Sequence, residues 1–181
     1  MISVYLLLDF PSFSLILTFI FHMTSVLFVC LGNICRSSAA EEVFRQLVAQ
    51  RGLSESFHID SAGLIDYHEG ELSDPRMRSH AARRGYRLTH RSRPVKEADF
   101  TRFDYIVGMD HDNMRQLQRR AASTSASASA RLLLMADFLR HHDSPTIPDP
   151  YYGGPEDFDH VLDLLEDATV GLLAYIEADK L

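Results

Sequence analysis

A cysteine and an arginine with five residues between them are the part of this chain best suited to chemistry. They are Cys30 and Arg36, in the stretch VLFVCLGNICRSS (residues 26–38). An apolar, strand-like run stops at the thiol, and a helix-like stretch opens at the arginine. Backbone N–H groups in so short a loop can converge into an anion-binding nest, and the helix N-terminus adds positive potential. Gly32 lets the backbone approach closely, and Asn33 tolerates a left-handed conformation. The loop of Leu31, Gly32, Asn33, Ile34 and Cys35 therefore suits a tetrahedral oxyanion such as phosphate, to which Arg36 adds a two-pronged fork. Cys30 would lie beneath the phosphorus, its thiolate held by the same donors and aimed at a phosphate ester. A lone cysteine in a buried strand is ordinarily packing. The C-x5-R spacing followed by Ser37, at a strand-to-helix junction, turns the reading towards catalysis. A dinucleotide loop is disfavoured because GxGxxG is absent, and a nucleotide-binding P-loop because GKS and GKT are absent.

Such a loop needs a frame. Residues 25–30 form a continuous apolar run, the mark of a central parallel strand. Residues 37–50 follow as an amphipathic helix, with Ala40, Val43, Phe44 and Leu47 at helical spacing and Gly52 as its stop. Further strands are expected at 57–60, 103–109 and 132–135, the last with an alternative start at Arg131. Residues 61–63 are read as a turn. Asp74-Pro75 opens a second helix that ends at Gly85. Helices are also expected at 110–120 and 158–178, and residues 145–155, rich in Pro, Gly and Tyr, form a loop. The low-complexity run AASTSASASA (121–130) reads as a surface loop. Strands alternating with helices predict an α/β fold: a three-layer sandwich with a central four-stranded parallel sheet and helices on both faces. Ligands bind such sheets at the carboxyl ends of strands beside a topological switch point, which is where Cys30 falls.

The 181 residues suit one domain, and a net charge of -7 argues against general nucleic-acid binding. The charge is uneven. Residues 76–93 hold seven arginines and no acid, and residues 156–179 hold eight acids and no base. Solvated helix faces account for both runs, and the sharper reading is that the basic one attracts an anionic partner. The only two cysteines, Cys30 and Cys35, make neither a disulfide framework nor a zinc site, and a reducing, intracellular setting fits them. Residues 1–22 contain no Lys or Arg, lack a signal-peptide cleavage site and are interrupted by Asp9 and Pro11. They are expected to be an appendage ahead of a working start at Met23, with a weak membrane anchor or packing onto the domain as alternatives, and the folded domain spanning 23–181.

VCLGNICRS resembles the signature of the low molecular weight protein tyrosine phosphatases. The likeness extends through IDSAG (59–63), DPR (74–76), FDYIVGMD (103–110) and DPYYGG (149–154). It implies that Cys30 is the nucleophile that becomes phosphocysteine, and that Arg36 binds the phosphoryl group. Ser37 would donate to the thiolate, and Asp149 would be the general acid and then the general base. Asn33 would be braced by Ser61 and His90, and Tyr67, Tyr151 and Tyr152 would wall an aromatic entrance that favours a flat aryl ester. The resemblance further implies a cytoplasmic monomer acting on tyrosine-phosphorylated proteins with no cofactor and no metal. Two features depart from the pattern: residues 1–22 have no counterpart, and Ser38 stands where the family usually carries proline, at a small expected cost in rigidity. An arsenate reductase on this fold would need more cysteines to relay a disulfide. A phosphoarginine phosphatase would carry Thr in place of Ile34, and a non-catalytic phosphopeptide module would have no use for Cys30 together with Asp149.

Overall fold

The computed structural model describes residues 23–124 and 128–179, so the expectations for residues 1–22 lie outside the described residues. Four parallel strands form one sheet in the order β2-β1-β3-β4. They are β1 (Thr24–Cys30), β2 (Phe57–Gly63), β3 (Tyr105–Gly108) and β4 (Arg131–Leu134). The helices are α1 (Arg36–Gln50), α2 (Pro75–Arg83), α3 (Asp99–Arg102), α4 (His111–Ser123) and α5 (Pro155–Asp179), with short 3-10 turns at Ser54–Ser56 and Met135–Phe138.

β1 explains the architecture. Every one of its residues is buried. Val26, Phe28 and Cys30 face a core built with α1, α2 and α5, while Leu27 and Val29 face a second core built with α3 and α4. A strand covered on both faces has no polar side to show, which is why it is continuously apolar from Val26 to Cys30. The result is the expected three-layer α/β sandwich. β1 leads through α1 to β2 on one side and is flanked by β3 on the other, so the switch point lies at the carboxyl end of β1. Among the described residues no helix is long and apolar enough to cross a membrane.

Several boundaries differ from expectation. Residues 61–63 continue β2, because Ser61, Ala62 and Gly63 pair with Phe28, Val29 and Cys30. Tertiary pairing overrides their turn-like composition. β3 is shorter than 103–109, since Phe103 caps the unexpected helix α3 and fills the second core. α4 runs on to Ser123, so the first three residues of the low-complexity run are helical, and Ser129 and Ala130 donate to the Phe100 carbonyl. α5 starts at Pro155, where proline suits the first turn and the Asp157 carboxylate accepts the Gly154 N–H at 2.7 Å.

Candidate active site

The loop after β1 can be accounted for group by group. Its carbonyls turn outward into the frame. Those of Cys30 and Leu31 accept the N–H groups of Leu64 and Ile65, that of Gly32 accepts the Ser92 hydroxyl, and that of Ile34 accepts Asp74 N–H. Asp74 in turn caps α2 and is gripped by Arg76. With these carbonyls bonded to the frame, the amides are left for the interior of the loop. Asn33 N–H points at Cys30 Sγ, 3.3 Å away. No protein acceptor meets the amides of Gly32, Ile34 and Cys35 among the described residues. α1 begins at Arg36 with no side-chain cap and no acid in its first turn, although that turn is buried. A buried helix start left uncapped is suited to an external anion.

Asn33 is the non-glycine residue at positive φ (58°) among the described residues, and it is 1% exposed. Its carboxamide holds the loop in that shape. Nδ2 donates to Ser37 Oγ and Ser61 Oγ, both at 2.9 Å, and Oδ1 accepts Arg93 N–H and faces His90 Nε2, both at 3.0 Å. Ser61 and His90 are joined behind it by Glu41, whose Oε2 lies 2.6 Å from Ser61 Oγ and 3.1 Å from His90 Nδ1. Arg93 is clamped by Asp60 and Asp99. Gly63 lies under this loop because a Cβ there would come within 2.9 Å of the Ile65 carbonyl and 3.1 Å of that of Leu31.

Cys30 Sγ sits 3.0 Å from Ser37 Oγ at the floor of the loop. Arg36 is buried and anchored from one side: Nη1 reaches Asp110 Oδ2 at 2.6 Å and the Ile147 carbonyl at 3.2 Å, and Nη2 reaches Asp149 Oδ2 at 2.6 Å. Its Nε is buried without a partner. A guanidinium N–H left unpaired in the interior is costly, and an oxyanion in the loop would satisfy it. Burial, with Asp74 nearby, pushes the Cys35 thiol up, so Cys35 stays neutral and is no rival nucleophile. Ser38, the departure from the resembled signature, accepts the Ser73 hydroxyl at 2.9 Å and donates to the Cys35 carbonyl at 3.2 Å. The rigidity a ring would provide is thus partly replaced by hydrogen bonds.

A cavity of about 380 Å³ opens above the loop and brings together Cys30, Leu31, Gly32, Ile34, Cys35, Arg36 and Asp149 with Tyr67, Tyr151 and Tyr152. Asp149 is delivered by a loop tethered where Ile147, fully buried, donates its N–H to the Met109 carbonyl. Tyr151 is held under the Arg76 guanidinium at 5.3 Å, whereas Tyr67 and Tyr152 are 81% and 97% exposed and form the outer lip.

Sequence reasoning missed Ile65 and His68, which also line the cavity, and Glu41, Asp60 and Arg93, which brace it. Glu41 was within reach, since it follows Ser37 by one helical turn on the same face. His68 packs so close that a Cβ on Gly32 would lie 3.1 Å from its ring, and no spacing signal announces that contact.

Comparison with known proteins agrees with this geometry. A family model described as low molecular weight phosphotyrosine protein phosphatase matches residues 25–181. A low molecular weight protein-tyrosine-phosphatase of Streptomyces coelicolor is 42% identical over 83% of this chain and 92% of its own. A protein tyrosine phosphatase from Entamoeba histolytica, solved with Hepes in the active site, superposes with a TM-score of 0.82 at 44% identity, over 87% of this chain and 99% of that one. A Drosophila arginine phosphatase superposes with a TM-score of 0.79 at 31% identity, over 83% and 96%. By sequence, sheet order and the loop that follows β1, the chain belongs to the low molecular weight phosphotyrosine protein phosphatase family.

Proposed function

We propose that the protein hydrolyses phosphotyrosine, and small aryl phosphates, through a phosphocysteine intermediate on Cys30. The observation that carries this is the buried, unpartnered Nε of Arg36 beside the inward-facing loop amides, with a thiol beneath them and a carboxylate above. The phosphoryl oxygens occupy the amide nest formed by Leu31, Gly32, Asn33, Ile34 and Cys35, and the Arg36 fork closes on them. Binding displaces Asp149 from Arg36, because the phosphoryl oxygens compete for the same guanidinium. Cys30 thiolate then attacks phosphorus as the P–O bond to the phenol breaks, and Asp149 gives its proton to the departing oxygen. In the second step Asp149 takes a proton from water, the water oxygen attacks phosphorus, and the thiolate leaves with the Ser37 hydroxyl donating to it. Ser61 and His90 act through Asn33 as positioning residues. Tyr67, Tyr151 and Tyr152 receive the flat ring, so that a shorter phosphoserine side chain stops above the loop. The reading carries with it a monomeric, cytoplasmic enzyme that acts on tyrosine-phosphorylated proteins with the amides and Arg36 as its only phosphate-binding charge.

The test is turnover of phosphotyrosine, phosphoserine and phosphoarginine peptides by the parent and by Cys30→Ser. Phosphotyrosine turnover that disappears in Cys30→Ser, with vanadate binding retained, is the expected result. Faster phosphoarginine turnover would instead align the chain with the Drosophila relative, and substantial activity in Cys30→Ser would remove the covalent mechanism.

A further inference from the structure

The seven arginines between residues 76 and 93 divide into two sets. Four have carboxylate partners: Arg76 with Asp74, Arg83 with Asp159, Arg84 with Asp159, Asp163 and Glu166, and Arg93 with Asp60 and Asp99. Their charge is absorbed by the fold. The other three are Arg78, Arg87 and Arg91, and among the described residues none of them pairs with an acid. Arg78 donates to the Ser73 carbonyl and Arg91 to that of Gly70, while Arg87 makes no contact of this kind. These three line one groove of about 520 Å³ together with Leu72, Tyr86 and Leu88, and no acid lines it. Glu71, the acid beside Leu72 in sequence, is turned to His68 at 2.7 Å. In a chain of net charge -7, three unneutralised guanidinium groups gathered in one concavity make a local patch of positive potential that suits an acidic partner.

One strap of chain contributes to both the groove and the catalytic mouth. Tyr67 and His68 line the mouth, and Leu72, a few residues later on the same strap, lines the groove. The strap is stitched to the chain carrying Arg91 by the Leu72–Arg91 bridge and by the Gly70 N–H to Ser92 carbonyl bond. Leu72 follows Tyr67 by five positions, so the two rims lie at most about 18 Å apart, the reach of about five extended residues.

We infer that the groove of Arg78, Arg87 and Arg91 docks an acidic segment of the substrate protein, a few residues from its phosphotyrosine. The inference rests on the phosphotyrosine reading above. Glutamate or aspartate side chains meet the three guanidinium groups, and the aliphatic part of the segment lies on Leu72 and Leu88. The groove contributes to capture and leaves the chemical step alone.

Arg87 is the position to change, since it has no partner to lose and lies outside the catalytic cavity. The probes are p-nitrophenyl phosphate and pairs of phosphotyrosine peptides that carry four glutamates or four glutamines about five residues to either side of the phosphotyrosine. For the parent at low salt, kcat/KM for one glutamate peptide should exceed that of its glutamine twin about fivefold, through KM, and the advantage should shrink near 0.5 M salt. Arg87→Glu should erase the preference while leaving p-nitrophenyl phosphate and the glutamine peptides unaffected. Equal kcat/KM for both twins in the parent, or a preference that survives Arg87→Glu, overturns the inference. Fluorescence anisotropy of the unphosphorylated glutamate peptide separates it from the catalytic reading. Arg87-dependent binding without phosphotyrosine turnover would sink that reading and keep the groove. Turnover without Arg87-dependent binding would sink the groove alone.

Discussion

Replacing Asn33 tests whether the phosphate loop is held in its shape by a single buried carboxamide. In Asn33→Ala, Ser37 and Ser61 each keep a second partner, Cys30 Sγ and Glu41 Oε2. Arg93 N–H and His90 Nε2 are left with none of the contacts the carboxamide supplied. At roughly 1–3 kcal/mol for each buried polar group left unpaired, the loss is about 2–6 kcal/mol. The positive φ of 58° adds about 1 kcal/mol for alanine. Against a typical domain stability of roughly 5–15 kcal/mol, the variant should fold, but marginally. Asn33→Gly suffers the same hydrogen-bond loss without the left-handed penalty, so it should be about 1 kcal/mol more stable than Asn33→Ala. Both should lose turnover of p-nitrophenyl phosphate by roughly 10²-fold, because amides displaced by about 1 Å no longer converge on the phosphoryl oxygens. Urea unfolding of the three proteins, with m-values compared, and steady-state kinetics on the same samples provide the measurements. An alanine variant as stable as the glycine one, or parental kcat in either, would refute the claim that this conformation is held by the carboxamide and required by the site.

Asp149→Asn should lower kcat by roughly 10²–10⁴-fold on aryl phosphates with a poor leaving group and by less where the phenol is already acidic. An equal loss on both substrates would place the acid elsewhere. Asp110→Asn keeps a competent cap for α4 but takes the charge from beneath Arg36, so turnover should fall about tenfold while stability changes by less than about 1 kcal/mol; parental kinetics would show that the Arg36 fork needs no anchor there. Asp167 is buried, which raises its carboxyl, but the N–H groups of His141, Arg140 and His142 outweigh this and hold it at about 2. A carboxylate depressed in the folded state stabilises above its unfolded value near 4 and loses that contribution as pH falls to about 2. Unfolding free energy should therefore drop over this window by on the order of 2 kcal/mol more in the parent than in Asp167→Asn, and parallel acid titrations would rule this out.

The short-range order of the chain was legible in its residues. The apolar run of β1, the amphipathic helix that follows the Cys30 loop, and Pro75 at the start of α2 are local consequences of side-chain hydrophobicity and backbone preference, and they needed no partner to be read. The Asn33 turn was also readable, because tolerance of a left-handed backbone belongs to that residue. Pairing decided what composition could not. Ser61-Ala62-Gly63 looks like a turn and is strand, because β1 offers it a ladder. The bracing of the loop was decided by tertiary structure as well. Glu41 reaches His90, Asp110 grips Arg36, and Arg93 N–H meets Asn33 across long stretches of sequence. The basic run shows the same division most plainly. Seven arginines are visible in the sequence as one block of charge. Arg76 is paired locally by Asp74, but which of the others are neutralised and which three are left to line a groove depends on where α5 and the Asp60 and Asp99 carboxylates come to lie, and a screened charge–charge contact exists only once the fold has brought the two groups within a few ångströms.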